Sequence, residues 1–140
     1  MKTSKFIFAF IAAMFMMCNA KTFAQGITYK VQGTVGTSKI HATLIEGEDS
    51  KIEGHYYYDK VRAQGDTATI RLSGSLGESM WPSQEAVIFE YDGKGNKIGR
   101  FEVYITLVKS GYEDTGYFNI SGTYINLQNG KTYDVDWNGK

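Results

Sequence analysis

Apolar and polar residues alternate along nearly the whole chain from Ile27 onward, and this alternation is typical of half-buried β-strands. Eight such runs predict eight strands, in which every second side chain points to one inward face. The residues assigned to that face are Ile27, Tyr29, Val31, Gly33 and Val35; Ile40, Ala42 and Leu44; Ile52, Gly54, Tyr56 and Tyr58; Ala68, Ile70 and Leu72; Val87, Phe89 and Tyr91; Phe101, Val103, Ile105 and Leu107; Phe118, Ile120, Gly122 and Tyr124; and Tyr133, Val135 and Trp137. Because no stretch of this region repeats with a helical period, we expect an all-β domain.

The turns between these runs provide a test of the face assignment, because a hairpin has to pair inward residues with inward residues. Turns centred on Thr37-Ser38, Ser110-Gly111 and Asn129-Gly130 all satisfy the test, and Asn-Gly is a preferred two-residue hairpin turn. The predicted pairs include Val35 with Ile40, Val103 with Phe118 and Tyr124 with Val135. Residues 74–83 are predicted to form a long loop, and residues 92–96 form the loop that follows the fifth strand.

Eight antiparallel strands in sequence order leave two exposed edges unless the sheet closes on itself. Closure into an up-and-down barrel removes both edges, and a barrel of about eight strands is either filled by side chains or holds one small ligand. We therefore predict an eight-stranded antiparallel meander that closes into a small barrel. A curved open sheet and a β-sandwich are the alternatives that the pattern leaves open.

The first 24 residues have the composition of a secretory signal peptide. Two lysines are followed by an uncharged apolar run over residues 6–18 and then by polar residues. Small residues favour cleavage after Ala24, and the alternatives are cleavage after Ala20 or a lipoprotein cut before Cys18. A membrane anchor is a further alternative, but thirteen apolar residues are fewer than the roughly 20 that span a bilayer. We expect a secreted or periplasmic protein with no membrane span after processing.

Removal of the predicted signal peptide changes the net charge and the cysteine content of the chain. Residues 25–140 remain, and a chain of this length forms one domain. Twelve basic residues then face fifteen acidic ones, and a net charge of about −3 argues against a nucleic-acid partner. The only cysteine, Cys18, is removed as well, so a disulfide framework and a cysteine-based zinc site are both excluded.

Three hairpin segments carry a resemblance. Residues 52–59, 89–101 and 120–126 resemble those of small, mostly uncharacterised secreted β-meander proteins of Gram-negative envelope and gut bacteria, and the first and third share the pattern Ile-x-Gly-x-Tyr. The last hairpin, from Gly122 onward, is loosely similar to barrels of the avidin and lipocalin type. The resemblance implies a barrel fold and an exported location. It implies no ligand, because the Trp-rich biotin site of avidin-type barrels has no counterpart here.

Groups that carry chemistry are scattered along the chain. His41 and His55 lie on outward faces, and no other metal-ligating residues converge with them. The chain has no Gly-x-Ser-x-Gly elbow and, after processing, no cysteine nucleophile. Asp134 and Asp136 lie about 7 Å apart on one outward face, which overlaps the spacing of inverting glycosidases but is ordinary on a solvated strand. We expect no enzyme activity, metal or cofactor.

Aromatic residues are the clearest candidates for binding. Trp81 precedes Pro82 in the predicted long loop, where a large apolar side chain can cover a ligand, contact a partner or plug the barrel. Tyr57, Tyr104 and Tyr117 face outward, and the predicted turn places Tyr104 opposite Tyr117. We expect a non-catalytic protein that holds an unknown small molecule at the barrel mouth. The alternative is a protein-interaction module, such as an enzyme inhibitor, that acts through exposed loops.

Overall fold

A computed structural model describes residues 27–110 and 113–139. The predicted signal peptide and its cleavage site lie outside the described residues, as does Gly111 of one predicted turn. The strands are β1 (Ile27–Val35), β2 (Ser38–Glu46), β3 (Lys51–Tyr58), β4 (Ile70–Met80), β5 (Ser83–Tyr91), β6 (Lys97–Ser110), β7 (Glu113–Asn126) and β8 (Thr132–Gly139). Within the described ranges, no helix has the length and apolar character that a membrane span requires.

The sheet closes into a barrel. Each strand pairs antiparallel with the next one along the chain, and β8 pairs back with β1. The closing ladder places Val35 opposite Val135 at one end and Val31 opposite Gly139 at the other. The predicted eight-stranded antiparallel barrel is therefore confirmed, and the open sheet and the sandwich are excluded.

The hairpin registers differ from the predicted ones by two or four residues. The observed pairs are Gly33 with Ile40, Val103 with Gly122 and Tyr124 with Tyr133. Gly36 and Gly130 adopt φ values of +62° and +76°, a region that favours glycine, and the two turns that contain them centre one residue earlier than predicted, on Gly36-Thr37 and on Gln128-Asn129. Because side chains alternate with a period of two, an even shift leaves the inward residues inward. The predicted pairs were wrong, although the faces of these strands were right.

The face of β5 was assigned wrongly. Ala86, Ile88 and Glu90 are the buried residues of this strand, whereas Val87, Phe89 and Tyr91 face outward. Two of the outward rings are covered by cations from neighbouring strands. The Lys97 ammonium lies 4.0 Å from the centre of the Phe89 ring, and the Arg71 guanidinium lies 4.2 Å from that of Tyr91. These cation–π contacts let large aromatic residues occupy the outer wall.

The predicted loop over residues 74–83 is instead a long hairpin. β4 continues to Met80 and β5 begins at Ser83, so only Trp81 and Pro82 connect them, through a cis peptide bond. Ala68, which was assigned to the fourth strand, precedes β4. The Gly- and Ser-rich sequence has weak strand propensity, but pairing with strands on both sides outweighs that preference. The ladder is irregular between Leu76 and Ser79, near the tip.

One short α-helix, α1 (Asp59–Ala63), and one 3₁₀ turn (Glu48–Ser50) interrupt the meander, contrary to the expectation of no helix. Five residues are too few to produce a recognisable helical period. Asp59 in the first turn and Arg62 in the last turn have the charges that complement the helix dipole. Gly65, with a φ of +92°, follows the helix and allows the chain to turn away.

The middle of the barrel is occupied by side chains. The largest fully buried residues are Trp137, Tyr56 and Phe101, and the Phe101 ring lies 5.3 Å from the Trp137 ring and 5.8 Å from the Tyr56 ring. Other buried apolar residues from every strand complete this core: Val31, Val35, Ile40, Ala42, Leu44, Ile52, Leu72, Ala86, Ile88, Val103, Ile105, Phe118, Ile120, Tyr124 and Val135. Any space large enough for a ligand therefore has to lie at an end of the barrel or on its wall.

Candidate functional site

A cavity of about 570 Å³ opens at the end of the barrel where β1, β5 and β7 begin. We call it the mouth cavity. It is lined by residues of β1, β2, β4, β5, β6 and β7 and of the turn between β4 and β5: Ile27, Thr28, Tyr29, Glu46, Ser79, Trp81, Pro82, Ser83, Gln84, Ile105, Leu107 and Phe118. Inward positions near the strand ends converge here because a barrel wall places them around one opening.

The inner part of the mouth cavity is apolar and aromatic. Ile105 and Phe118 belong to the buried core and form its base, and Leu107 is half-buried beside them. The Tyr29 and Phe118 rings lie edge to face, with their centres 4.6 Å apart and an angle of 88° between the ring planes. This arrangement is favourable for aromatic rings and holds the Tyr29 ring in one orientation.

Tyr29 also contacts Glu46, whose side chain is the one carboxylate among the residues that line the cavity. The Tyr29 hydroxyl donates a hydrogen bond to Oε2 of Glu46 over 2.7 Å, across the β1–β2 ladder. Burial raises the pKa of the Tyr29 phenol well above its usual range, and the negative charge of Glu46 raises it further. The phenol therefore stays protonated and remains a donor to Glu46.

The rim of the cavity is the β4–β5 turn. Trp81 is 73% exposed, while the backbone that carries it is held in place. The Pro82 carbonyl accepts a hydrogen bond from the Leu107 amide over 3.0 Å, and the Gln84 side-chain amide donates to the Gly77 carbonyl over 2.8 Å. The Ser83 and Thr106 hydroxyls are 2.8 Å apart. The turn is thus fixed to β6 and to its own hairpin, and it presents the indole at the opening.

The other predicted aromatic candidates lie on the outer wall. Tyr104 is opposite Ser121 and Tyr117 is opposite Val108, so the predicted Tyr104–Tyr117 pair does not form. The predicted pair fails because the β6–β7 register is already shifted by two residues where Ser110 pairs with Glu113, and the irregularity between Val108 and Lys109 shifts it by two more. The Tyr104 hydroxyl instead lies 3.4 Å from Oε2 of Glu85. Of the four candidates, only Trp81 lines the mouth cavity.

Tyr57 and Tyr117 share a groove of about 680 Å³ on the outer wall. A row of polar side chains crosses this groove from strand to strand. Each residue of the row lies opposite the next one on the neighbouring strand, in the order Asn119, Asn138, Gln32, His41 and Tyr57. His41 stacks on Tyr57 with ring centres 5.2 Å apart, and its Nε2 lies 2.9 Å from Oδ1 of Asp59. Polar side chains with this spacing are ordinary on a solvated wall, so the groove is a weaker candidate for an apolar ligand.

A buried carboxylate escaped the sequence-based search. Glu90 is 4% exposed, and it accepts hydrogen bonds from the Tyr56 hydroxyl over 2.8 Å and from the Tyr124 hydroxyl over 2.6 Å. Burial is the main reason that the pKa of both phenols is raised far above the usual range. The next cause is the negative charge of Glu90 for Tyr56 and the hydrogen bond to Glu90 for Tyr124. Gly99 lies against this cluster, where a Cβ would collide with the Glu90 carboxylate.

A sequence signal for the Glu90 cluster was present. The two tyrosines that bind Glu90 are the last residues of the two Ile-x-Gly-x-Tyr segments, so the repeated pattern marks two donors that converge on one acceptor. The cluster lies toward the barrel end opposite the mouth cavity, near the loop that connects β5 and β6. Its donors and acceptor are already paired with each other, so we assign it a structural role rather than a binding role.

The remaining candidate groups do not converge. Within residues 27–110 and 113–139, no three His, Cys, Asp or Glu side chains are close enough to hold a metal ion. Asp92 caps its own loop, because its Oδ1 accepts hydrogen bonds from the Lys94 and Asn96 amides over 2.8 and 2.9 Å. These hydrogen bonds, led by that of Asn96, lower the pKa of the Asp92 carboxyl.

Comparisons with protein families, with curated proteins and with solved structures find no match to this chain.

Proposed function

We propose that the chain is an exported, non-catalytic binding protein that holds one small, mainly apolar molecule in the mouth cavity. The observation that carries the proposal is the cavity itself. Apolar walls with a few convergent polar groups, in a volume of about 570 Å³, are typical of small-molecule sites. The signal-peptide pattern and the resemblance to secreted β-meander proteins support an address outside the cytoplasm.

The packed core determines how deep such a ligand would lie. Phe101 and Trp137 occupy the middle of the barrel, and Ile105 and Phe118 form the base of the cavity above them. A ligand would therefore rest across the mouth, with its inner side against Phe118 and its outer side against the Trp81 indole. A ligand bound in this way keeps part of its surface in water, which favours modest affinity.

N-phenyl-naphthylamine, a neutral dye that fluoresces in apolar surroundings, tests this proposal. We expect saturable binding of one dye per chain. An indole has an area of about 200 Å², and Trp81 is 73% exposed, so a ligand that covers half of the exposed part buries about 75 Å² of it. At about 25 cal/mol per Å² this is worth about 2 kcal/mol, so we expect Trp81→Ala to weaken binding about 25-fold.

Tyr104→Ala is the matched control, because Tyr104 is an exposed aromatic residue that does not line the cavity. It should leave the dye affinity within about twofold, and both variants should unfold within about 1 kcal/mol of the parent chain. Equal losses of affinity in the two variants, or no saturable binding by the folded parent, would contradict the proposal.

A second function is supported by one further observation. Met80 and Trp81, which are 78% and 73% exposed, are adjacent at the tip of the β4–β5 hairpin, where they form an apolar protrusion suited to a protein partner. Met80 does not line the mouth cavity. Met80→Ala should therefore weaken binding of a protein partner while leaving dye binding unchanged, and this difference separates the interaction module from the small-molecule carrier.

A further inference from the structure

The lining of the mouth cavity carries one negative charge and no positive charge. Of its twelve lining residues, Glu46 is the only one with a charged side chain. Glu46 is half-buried, and among the described residues its carboxylate has no Lys, Arg or His within ion-pair distance. The cavity thus combines an apolar base with a single negative charge that no cation of the described chain neutralises.

The hydrogen bond from Tyr29 orients this carboxylate without neutralising it. The phenol is an uncharged donor that stays protonated, and it occupies Oε2. Within the part of the chain that the structure describes, Oε1 accepts no hydrogen bond from a side chain or backbone group. A partly desolvated carboxylate with one unused oxygen is stabilised by a cationic donor, and charge-assisted hydrogen bonds are about twice as strong as neutral ones.

The aromatic residues of the cavity favour the same kind of ligand. Trp81, Tyr29 and Phe118 line one space, and the faces of aromatic rings attract cations, with tryptophan the strongest. Sites that combine several aromatic rings with a carboxylate are suited to ammonium groups. Farther out, Glu48 and Asp49 lie exposed on the connection that follows Glu46, with Lys51 as an opposing charge, and they extend the negative potential around the opening.

We propose that the mouth cavity selects cationic amphiphiles, which are molecules with one ammonium group on an apolar body, and that Glu46 is the counter-charge that recognises the ammonium. The apolar body lies against Ile105, Leu107 and Phe118, and the ammonium group faces Oε1 of Glu46. Molecules with a carboxylate in the same position are rejected, because the like charge of Glu46 opposes them. The inference depends on the proposed function, since it names the ligand class for the same cavity.

Three ligands with the same linear alkyl chain test the inference: a primary alkylamine, the corresponding alcohol and the corresponding carboxylate. Each displaces N-phenyl-naphthylamine from the complete processed protein at neutral pH and low salt, below its micelle concentration. We expect the amine to bind about tenfold more tightly than the alcohol, and the carboxylate to bind more weakly than both. The preference for the amine should shrink as salt is added.

Glu46→Gln should abolish the preference for the amine over the alcohol. The control is Glu85→Gln, an exposed carboxylate of β5 that does not line the cavity, and it should keep the preference. Equal binding of amine and alcohol by the parent chain overturns the inference while the proposed function stands. Failure of all three ligands and the dye to bind the folded protein overturns both, and the ranking in the parent chain decides the outcome even if Glu46→Gln does not fold.

Discussion

Replacement of Glu90 by leucine removes the one charged residue that is buried within the described part of the chain. Leucine has a similar volume, so the main effect falls on the two phenols that donate to the carboxylate. The Tyr124 hydroxyl loses its partner, and the Tyr56 hydroxyl retains only the Tyr58 hydroxyl, 3.4 Å away. An unsatisfied buried donor costs about 1–3 kcal/mol, and relief of the carboxylate's own desolvation offsets part of this. We expect Glu90→Leu to lower the free energy of unfolding by about 2–4 kcal/mol.

Urea denaturation, followed by circular dichroism of the β-sheet, measures this change. Glu53→Leu is the control, because Glu53 is an exposed carboxylate on β3, and it should change stability by no more than about 0.5 kcal/mol. A triple variant that combines Glu90→Leu with Tyr56→Phe and Tyr124→Phe removes both donors and their acceptor together. It should recover most of the free energy of unfolding that Glu90→Leu alone loses. A neutral Glu90→Leu, or a triple variant that loses as much as the sum of its parts, would refute the hydrogen-bond explanation and point to packing.

Three further predictions concern other parts of the chain. Ile88→Ala should lower the free energy of unfolding by about 2–5 kcal/mol and Val87→Ala by less than about 1 kcal/mol, as measured by urea denaturation. A larger loss for Val87→Ala than for Ile88→Ala would mean that Val87 faces inward, as the sequence pattern predicts. Because burial raises the phenol pKa of Tyr56 and Tyr124, their stabilising effect is complete below about pH 10 and declines above it, as the unfolded chain ionises. Tyr56→Phe should therefore lose less stability between about pH 9 and 11 in thermal melts, and an identical decline would contradict this. Mass spectrometry of the exported protein should give an N-terminus directly after Ala24, and a lipidated Cys18 would favour the lipoprotein alternative.

The barrel could be predicted from the sequence because the alternation of side chains is a local property that survives errors in register. Even shifts of two or four residues left Ile40, Val103 and Tyr124 facing inward. The face of β5 could not be read in the same way, because both of its faces carry large apolar residues. Arg71 and Lys97 settle that choice, and they come from neighbouring strands. Long-range cation–π contacts of this kind have no signature within the strand itself.

The candidate site was only partly accessible to sequence reasoning. Trp81 drew attention as a large apolar residue between two strands, and it does lie at the mouth cavity. Tyr29 and Glu46 lie on the neighbouring strands β1 and β2, whereas Phe118, which completes the cavity, comes from β7, far along the chain. Their meeting depends on the register of the whole barrel, and the predicted registers were shifted. In the sequence, Glu46 is close to two other acidic residues, Glu48 and Asp49, and only the geometry separates it from these exposed neighbours.

The location of ligand binding can be measured most directly by titrating isotope-labelled processed protein with N-phenyl-naphthylamine and following its nuclear magnetic resonance spectrum. Binding in the mouth cavity predicts saturable shifts for Tyr29, Trp81 and Ile105, with Asn138 on the outer wall unchanged. Shifts confined to the outer groove around Asn138, or no shifts in the folded protein at saturating dye, would contradict the mouth cavity as the binding site.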